Sequence, residues 1–208
     1  MTDRAKKFWD KRAERYSTRA IADEATYQEK LEVTRRYLNP DSEVLEFGCG
    51  TGSTAISHAP YVKHILATDI SSNMIEIARQ RAREDDVRNV TFAQSSVDEF
   101  AAPDESYDVV LGLNLLHLLE DKDAALEKIC RMLRPGGVFV SSTACITDMM
   151  PLFRLIAPIG VFFHLFPPVA AFSVKELTRA LTVAGLEIEH EWSPGKNKAI
   201  FIVARKSR

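Results

Sequence analysis

Residues Val44 to Thr54, VLEFGCGTGST, hold the densest group of chemically telling residues in the chain. Gly48, Gly50 and Gly52 follow an apolar run, so the backbone there can approach a ligand closely. A glycine loop of this kind often cradles phosphates with its N–H groups. Two details argue for another ligand. The dinucleotide fingerprint wants a third glycine where Ser53 stands, and a phosphate loop ends in Gly-Lys-Ser/Thr, yet no lysine occurs between Val44 and Tyr61. Glu46 precedes Gly48 by two residues; its charge repels a pyrophosphate and favours a cationic group such as an α-ammonium. Asp69 ends the next apolar run, where an acid can accept hydrogen bonds from both hydroxyls of a ribose. The loop therefore suits a ribose-bearing molecule with a positive group and no pyrophosphate.

Those residues need elements to hold them. EVLEF (43–47) reads as a short buried strand, 54–60 as a short helix and HILATDI (64–70) as a second strand. SSNMIEIARQRARED has a serine cap and places Met74, Ile75, Ile77 and Ala78 at helical spacing. Further strands are expected at 89–96, 107–114 and 138–143, with a helix over 123–133 that Arg134-Pro135-Gly136-Gly137 stops. Ser173 caps a helix ended by Gly185, and LEIEHEW (186–192) and AIFIVARK (199–206) flank a Pro-Gly turn as a closing hairpin. The first forty residues read as two helices anchored by Phe8, Trp9 and Tyr16, then Tyr27, Leu31, Tyr37 and Leu38, with Asn39-Pro40 as the stop. Alternating strands and helices predict an α/β fold: a doubly wound sheet, mostly parallel, with a C-terminal antiparallel hairpin and helices on both faces. Ligands of such sheets sit beyond the carboxyl ends of the strands where strand order reverses, and the glycine loop after the first strand belongs there.

Composition bounds the reading. The 208 residues suit one domain, and 46% hydrophobic with 27% charged residues is an ordinary globular balance. A net charge of −2 gives no basic field to recruit nucleic acid. Lys6, Lys7, Lys11, Arg12 and Arg15 alternate with Asp10 and Glu14, as on a solvated helix face. Cys49, Cys130 and Cys145 are odd in number and lack metal-ligand spacing, so no metal and a reduced, cytoplasmic protein are expected. MTDRAKKFWD has no apolar core and does not read as a signal peptide. Ala144 to Phe172 is apolar, but Pro151, Pro158, Pro167, Pro168, Arg154 and His164 interrupt it, and a spanning helix needs about 20 apolar residues. No transmembrane segment is expected.

S-Adenosylmethionine has a ribose, an ammonium and a sulfonium. VLEFGCGTG resembles motif I of the class I S-adenosylmethionine-dependent methyltransferases, and ATDIS resembles their second acidic motif. FAQSSVDEF resembles the adenine-contact segment, YDVVLGLNLLHLL the fourth-strand motif and LRPGGVFV the motif before strand five. The resemblance implies a single Rossmann-like methyltransferase domain over 1–208. Helices at 1–38 would close over the cofactor, 40–143 would form the cofactor-binding core, 144–172 an apolar cap over the acceptor, and 173–208 a helix and hairpin. It implies that Glu46 orients the loop and the methionine ammonium, and that Gly48, Cys49, Gly50 and Gly52 form the loop against which the cofactor lies. Asp69 would hold the ribose diol, and Ile70 and Met74 would pack on the adenine. Ser96 and Val97 would meet the adenine edge; Ser96 departs from the aspartate common there and would bind more weakly without charge. Asn114 and Leu115 would lie beside the methionine end, and Tyr16, after FWDKRAER, would close over the cofactor.

The implied reaction is an in-line displacement that leaves S-adenosylhomocysteine, and it needs a general base only for a poorly acidic acceptor. His117, just after the fourth strand, and His164, in the apolar segment, are the candidate catalytic residues, whereas His58 and His64 read as structural or exposed. The cap, with Asp148 as its one acid between Cys145 and Phe172, favours a small apolar, thiol or phenol acceptor over an amine or a nucleic acid. Two alternatives stand beside this: a lipid or quinone acceptor reached by peripheral membrane contact, and a nicotinamide-dependent oxidoreductase, against which Glu46 and Ser53 speak.

Overall fold

The computed structural model describes residues 3–150, 169–195 and 197–207. Most of the apolar cap segment, including Arg154, Phe163 and His164, lies outside the described residues. The elements run α1 (Asp3–Asp10), α2 (Ala13–Ser17), α3 (Glu24–Arg35), β1 (Glu43–Phe47), α4 (Ser53–His58), β2 (His64–Asp69), α5 (Ser72–Glu84), β3 (Val90–Gln94) and β4 (Tyr107–Leu113). There follow α6 (Lys122–Met132), β5 (Leu133–Thr143), α7 (Ile146–Met149), α8 (Val174–Val183), β6 (Leu186–Trp192) and β7 (Ile200–Lys206).

The strands form one sheet of order β3-β2-β1-β4-β5-β7-β6. β1 lies parallel between β2 and β4, with Val44 opposite Ile65 and Val109, and β7 runs antiparallel to β5 and β6. The doubly wound sheet with its closing hairpin is thus the observed fold. Strand order reverses between β1 and β4, so the loop after β1 opens at the switch point.

Both faces of the sheet are covered, which explains the near-continuous apolar strands. Leu45, Phe47, Val110 and Phe139 pack with Leu126 and Ile129 of α6 and Leu177 and Leu181 of α8. Val44, Ile65, Val109, Leu111 and Val140 pack on the other face with Ile75 and Ala78 of α5. Caps set the helix starts where the sequence puts them. Ser71 Oγ accepts from the Met74 N–H at 3.2 Å, and Ser173 and Glu176 make a reciprocal capping box.

Two boundaries differ from expectation. The first expected helix is split into α1 and α2. α1 ends at Asp10, whose Oδ1 accepts from Ser71 Oγ at 2.6 Å while its carbonyl takes Asn73 Nδ2 at 3.1 Å. A tertiary contact thus overrides local propensity. β5 starts at Leu133 and not 138: Leu133 pairs with Tyr107, and pairing resumes at Val138 with Val109, leaving Arg134–Gly137 as an irregularity. Arg134 Nη1 meets Asp108 Oδ2 there at 2.6 Å.

Candidate functional site

Two cavities open at the carboxyl ends of β1, β2 and β4, and they share Tyr16, Gly48, Gly50, Leu113 and Asn114. The smaller, about 110 Å³, is walled by Trp9, Phe47, Asp69, Ile70, Met74, Ser95, Ser96, Val97, Leu115 and Leu118 besides the shared residues. The larger, about 780 Å³, reaches from Glu46 and Cys49 under α3 to the β6–β7 connection at Lys198.

Glu46 leaves β1 on the sheet face opposite Leu45 and Phe47. It is 2% exposed, and its Oε2 has no hydrogen-bond partner among the described residues. Burial, reinforced by Asp69, pushes its carboxyl up to about 8. A buried acceptor without a partner costs free energy, and an incoming ammonium would supply the partner. Asp69 ends β2. Its Oδ2 accepts from the Gly50 N–H at 2.9 Å and its Oδ1 from the Ser71 N–H at 2.8 Å. It therefore braces the glycine loop as well as facing the smaller cavity. A carboxylate has about four lone-pair sites, so acceptor capacity remains for a diol. Burial raises its carboxyl while the two N–H bonds oppose the rise.

The three glycines differ in what requires them. A Cβ on Gly48, at φ +68°, would come within 3.1 Å of Leu115 Cδ1; one on Gly50, at φ +54°, would meet only Tyr16 Cε1, at 3.8 Å. Both line the cavities. Gly52 lines neither: a Cβ there would meet Ala78 Cβ and Phe92 Cε1, both at 2.9 Å, at φ +81°. Gly52 lets the loop pack on α5 and β3 and start α4. Cys49 lines the larger cavity, and burial drives its thiol well above the ordinary cysteine range, so it is an inert filler.

Ile70, Met74, Val97 and Leu115 supply apolar walls to the smaller cavity as expected, and Asn114 stands at the junction of the two at φ +57°. Ser96 also lines the smaller cavity, but its hydroxyl donates to Glu99 Oε2 at 3.0 Å and accepts from the Glu99 N–H at 3.1 Å. Its oxygen is already engaged in a turn. Tyr16, half-exposed, also stands at the junction; Trp9 stacks edge-on to it at 6.4 Å.

His117 lines neither cavity, although Leu115 and Leu118 on either side of it line the smaller one. Burial pushes its imidazole down to about 4, and its Nδ1 has no partner among the described residues. His117 thus stands beside the smaller cavity without lining it, and His164 lies outside the described residues. Asp148 caps α8, its Oδ2 accepting from the Val174 N–H at 2.6 Å. Sequence reasoning passed over Trp9, Phe47, Tyr27 and Lys30. Trp9 lies seven residues from Tyr16, a spacing that could have paired them. Lys30 carried no such signal, since its partner Ser142 is distant in sequence.

The chain is a Rossmann-like doubly wound sheet with a glycine loop and two acids at adjacent strand tips. Residues 44–137 match the family described as "Methyltransferase domain". Over 100 residues the chain is 32% identical to the uncharacterized methyltransferase YcgJ of Bacillus subtilis, covering 48% of this chain and 40% of that protein. Over 132 residues it is 30% identical to the ubiquinone/menaquinone biosynthesis C-methyltransferase UbiE of Vibrio campbellii, covering 62% of this chain and 50% of UbiE. The chain thus matches half or less of the length of these relatives. The crystal structure of YcgJ aligns with a TM-score of 0.72 at 20% identity, over 87% of this chain and 99% of that one. Geranyl diphosphate C-methyltransferase from Streptomyces coelicolor A3(2), solved with S-adenosyl-L-homocysteine, aligns with a TM-score of 0.72 at 16% identity, over 88% and 79%. The match over residues 44–137 and these likenesses support a class I S-adenosylmethionine-dependent methyltransferase domain, a kind that uses S-adenosylmethionine as its cofactor. No helix among the described residues is long and apolar enough to cross a membrane.

Proposed function

We propose that this chain transfers the methyl group of S-adenosylmethionine to a small acceptor lying in the larger cavity. The observation that carries the reading is the buried Glu46 carboxyl, whose Oε2 has no hydrogen-bond partner among the described residues, beside the glycine loop and one strand from Asp69. Glu46 holds the ammonium of the cofactor, and Asp69 holds the ribose hydroxyls. Ile70, Met74 and Val97 clasp the adenine in the smaller cavity with Ser96 at its edge, and Gly48 and Gly50 admit the chain that joins the two ends. Leu115 and Asn114 lie beside the methionine end, while Trp9 and Tyr16 close over the top. The helices at 1–38 serve as that closure, 40–143 as the cofactor core, 144–172 as the acceptor cap and 173–208 as the flank of the single domain.

The bound cofactor supplies an already activated methyl group. The chain's own residues align the acceptor and exclude water, and orientation of this kind can supply on the order of 7–11 kcal/mol. No general base is assigned. A quinone-type acceptor at a membrane surface is the second reading, supported by the sequence relation to a quinone C-methyltransferase over half of that relative. The test is thermal unfolding with ligand. At about 100 times Kd a ligand stabilises by about 2.7 kcal/mol, so S-adenosylhomocysteine raises the midpoint and NADH leaves it unchanged. The reverse pattern refutes the reading.

A further inference from the structure

The larger cavity is far roomier than a methionine tail requires, and its end away from the glycine loop is polar. Tyr27, Lys30, Leu31 and Thr34, at the i, i+3, i+4, i+7 spacing of one helical face, all line it from α3. Lys30 Nζ reaches across 112 positions of sequence to donate to Ser142 Oγ at 2.8 Å, at the end of β5. Its ammonium makes no ion pair among the described residues and keeps two further N–H donors. Tyr27 Oη is buried with no hydrogen-bond partner among the described residues. Lys198 pairs with Asp23 at the same rim.

We propose, resting on the methyltransferase reading, that Lys30, Tyr27 and Ser142 form an oxyanion subsite that holds a carboxylate of the methyl acceptor, away from the atom that is methylated. Lys30 and Tyr27 line the cavity from one face of α3, with Ser142 on the Lys30 ammonium, and a few placed polar groups of this kind fix the orientation of a ligand. Single charge is favoured over double. Asp23 and Glu24 line the same cavity and oppose a phosphate dianion more strongly than a single charge, even with Arg19 and Arg81 on its lining. The acceptor thus spans from Lys30 to the junction at Tyr16 and Asn114, where its nucleophile meets the methyl group.

The experiment is calorimetry on the intact chain saturated with S-adenosylhomocysteine, titrated with phenylpropanoate and phenylpentanoate, each against its primary amide, and with pentafluorophenolate. At least one carboxylate is expected to bind tenfold or more tighter than its amide, as a charge-assisted hydrogen bond allows. Lys30→Met is expected to erase the difference, Lys30→Arg to restore part of it, and Tyr27→Phe, which breaks no existing bond, to reduce it several-fold, all with S-adenosylhomocysteine affinity within about twofold. Equal or absent binding of acids and amides overturns the proposal, as does a large loss of S-adenosylhomocysteine affinity in Lys30→Met, which would assign Lys30 to the cofactor. A phenolate bound more tightly than either carboxylate overturns the carboxylate assignment. Failure of the unmodified chain to bind S-adenosylhomocysteine at all overturns the methyltransferase reading itself.

Discussion

The two cavities are built on different principles. The smaller is framed by strand tips and the first residues after them: Phe47, Asp69, Ile70, Ser95 and Leu113 stand where the sheet itself fixes the backbone. The larger takes one wall from the sheet and the others from α3, the 19–23 segment and the β6–β7 connection. A ligand site on strand ends is held rigidly, whereas one walled by helices and loops can change with little cost to the core. On the proposed reading, the rigid end grips an invariant cofactor and the adaptable end a particular acceptor.

The comparison breaks most readily at Asp69. Asp69→Ala removes the proposed ribose contacts and also the brace on Gly50 and Ser71. With charge-assisted bonds worth roughly 1.5–3 kcal/mol each, S-adenosylhomocysteine affinity should fall between about tenfold and a thousandfold, read by calorimetry. Unchanged affinity would make Asp69 a loop brace alone.

The glycines sharpen the same contrast. Gly52→Ala should lower stability by about 2–4 kcal/mol through left-handed strain and overpacking against Ala78 and Phe92, measured by denaturant unfolding. Gly50→Ala meets no packed atom closer than 3.8 Å, so it should cost less stability and more ligand affinity. The opposite ranking would reverse their roles.

The scaffold under the rigid end has a weak point at His58, fully buried with neither ring nitrogen partnered among the described residues. Burial, aided by Arg35, holds its imidazole at about 4, below the ordinary 6.5. The unfolded chain therefore takes up the proton first, and stability present above the ordinary value drains away as pH falls from 6.5 toward 4. Between pH 7 and 5 this amounts to roughly 2 kcal/mol. His58→Leu should remove that share of the loss in denaturant titrations at the two pH values; an unaltered pH dependence would contradict it.

Glu46 gives the smallest and most specific effect. With its carboxyl at about 8, the ligand-free protein carries it protonated at neutral pH, while an ammonium partner favours the ionised form. Binding should release a proton below that value and tighten as pH rises toward it, by up to about tenfold per unit. Glu46→Gln should abolish the proton release, measured by calorimetry in buffers of different ionisation enthalpy.

Much of the rigid end was legible in the sequence because its signals are local. Strand, glycines and two acids lie within 26 consecutive residues, Val44 to Asp69, and the caps at Ser71 and Ser173 follow from neighbouring backbone groups. The larger cavity was not legible, because Lys30 meets Ser142 only after the sheet is assembled. The apolar run between Ala144 and Phe172 drew attention away from α3. That Glu99 engages the Ser96 hydroxyl was hidden, because nothing in the spacing reveals it. The break at Asp10 was hidden for the same reason, since its partners Ser71 and Asn73 arrive from another element.

A crystal structure of the chain with S-adenosylhomocysteine would try the site as a whole. The account predicts the ribose hydroxyls on Asp69, the amino group on Glu46 and the adenine between Ile70 and Val97, leaving the space beside Lys30 open. A nucleoside seated elsewhere, or with its amino group remote from Glu46, would contradict it.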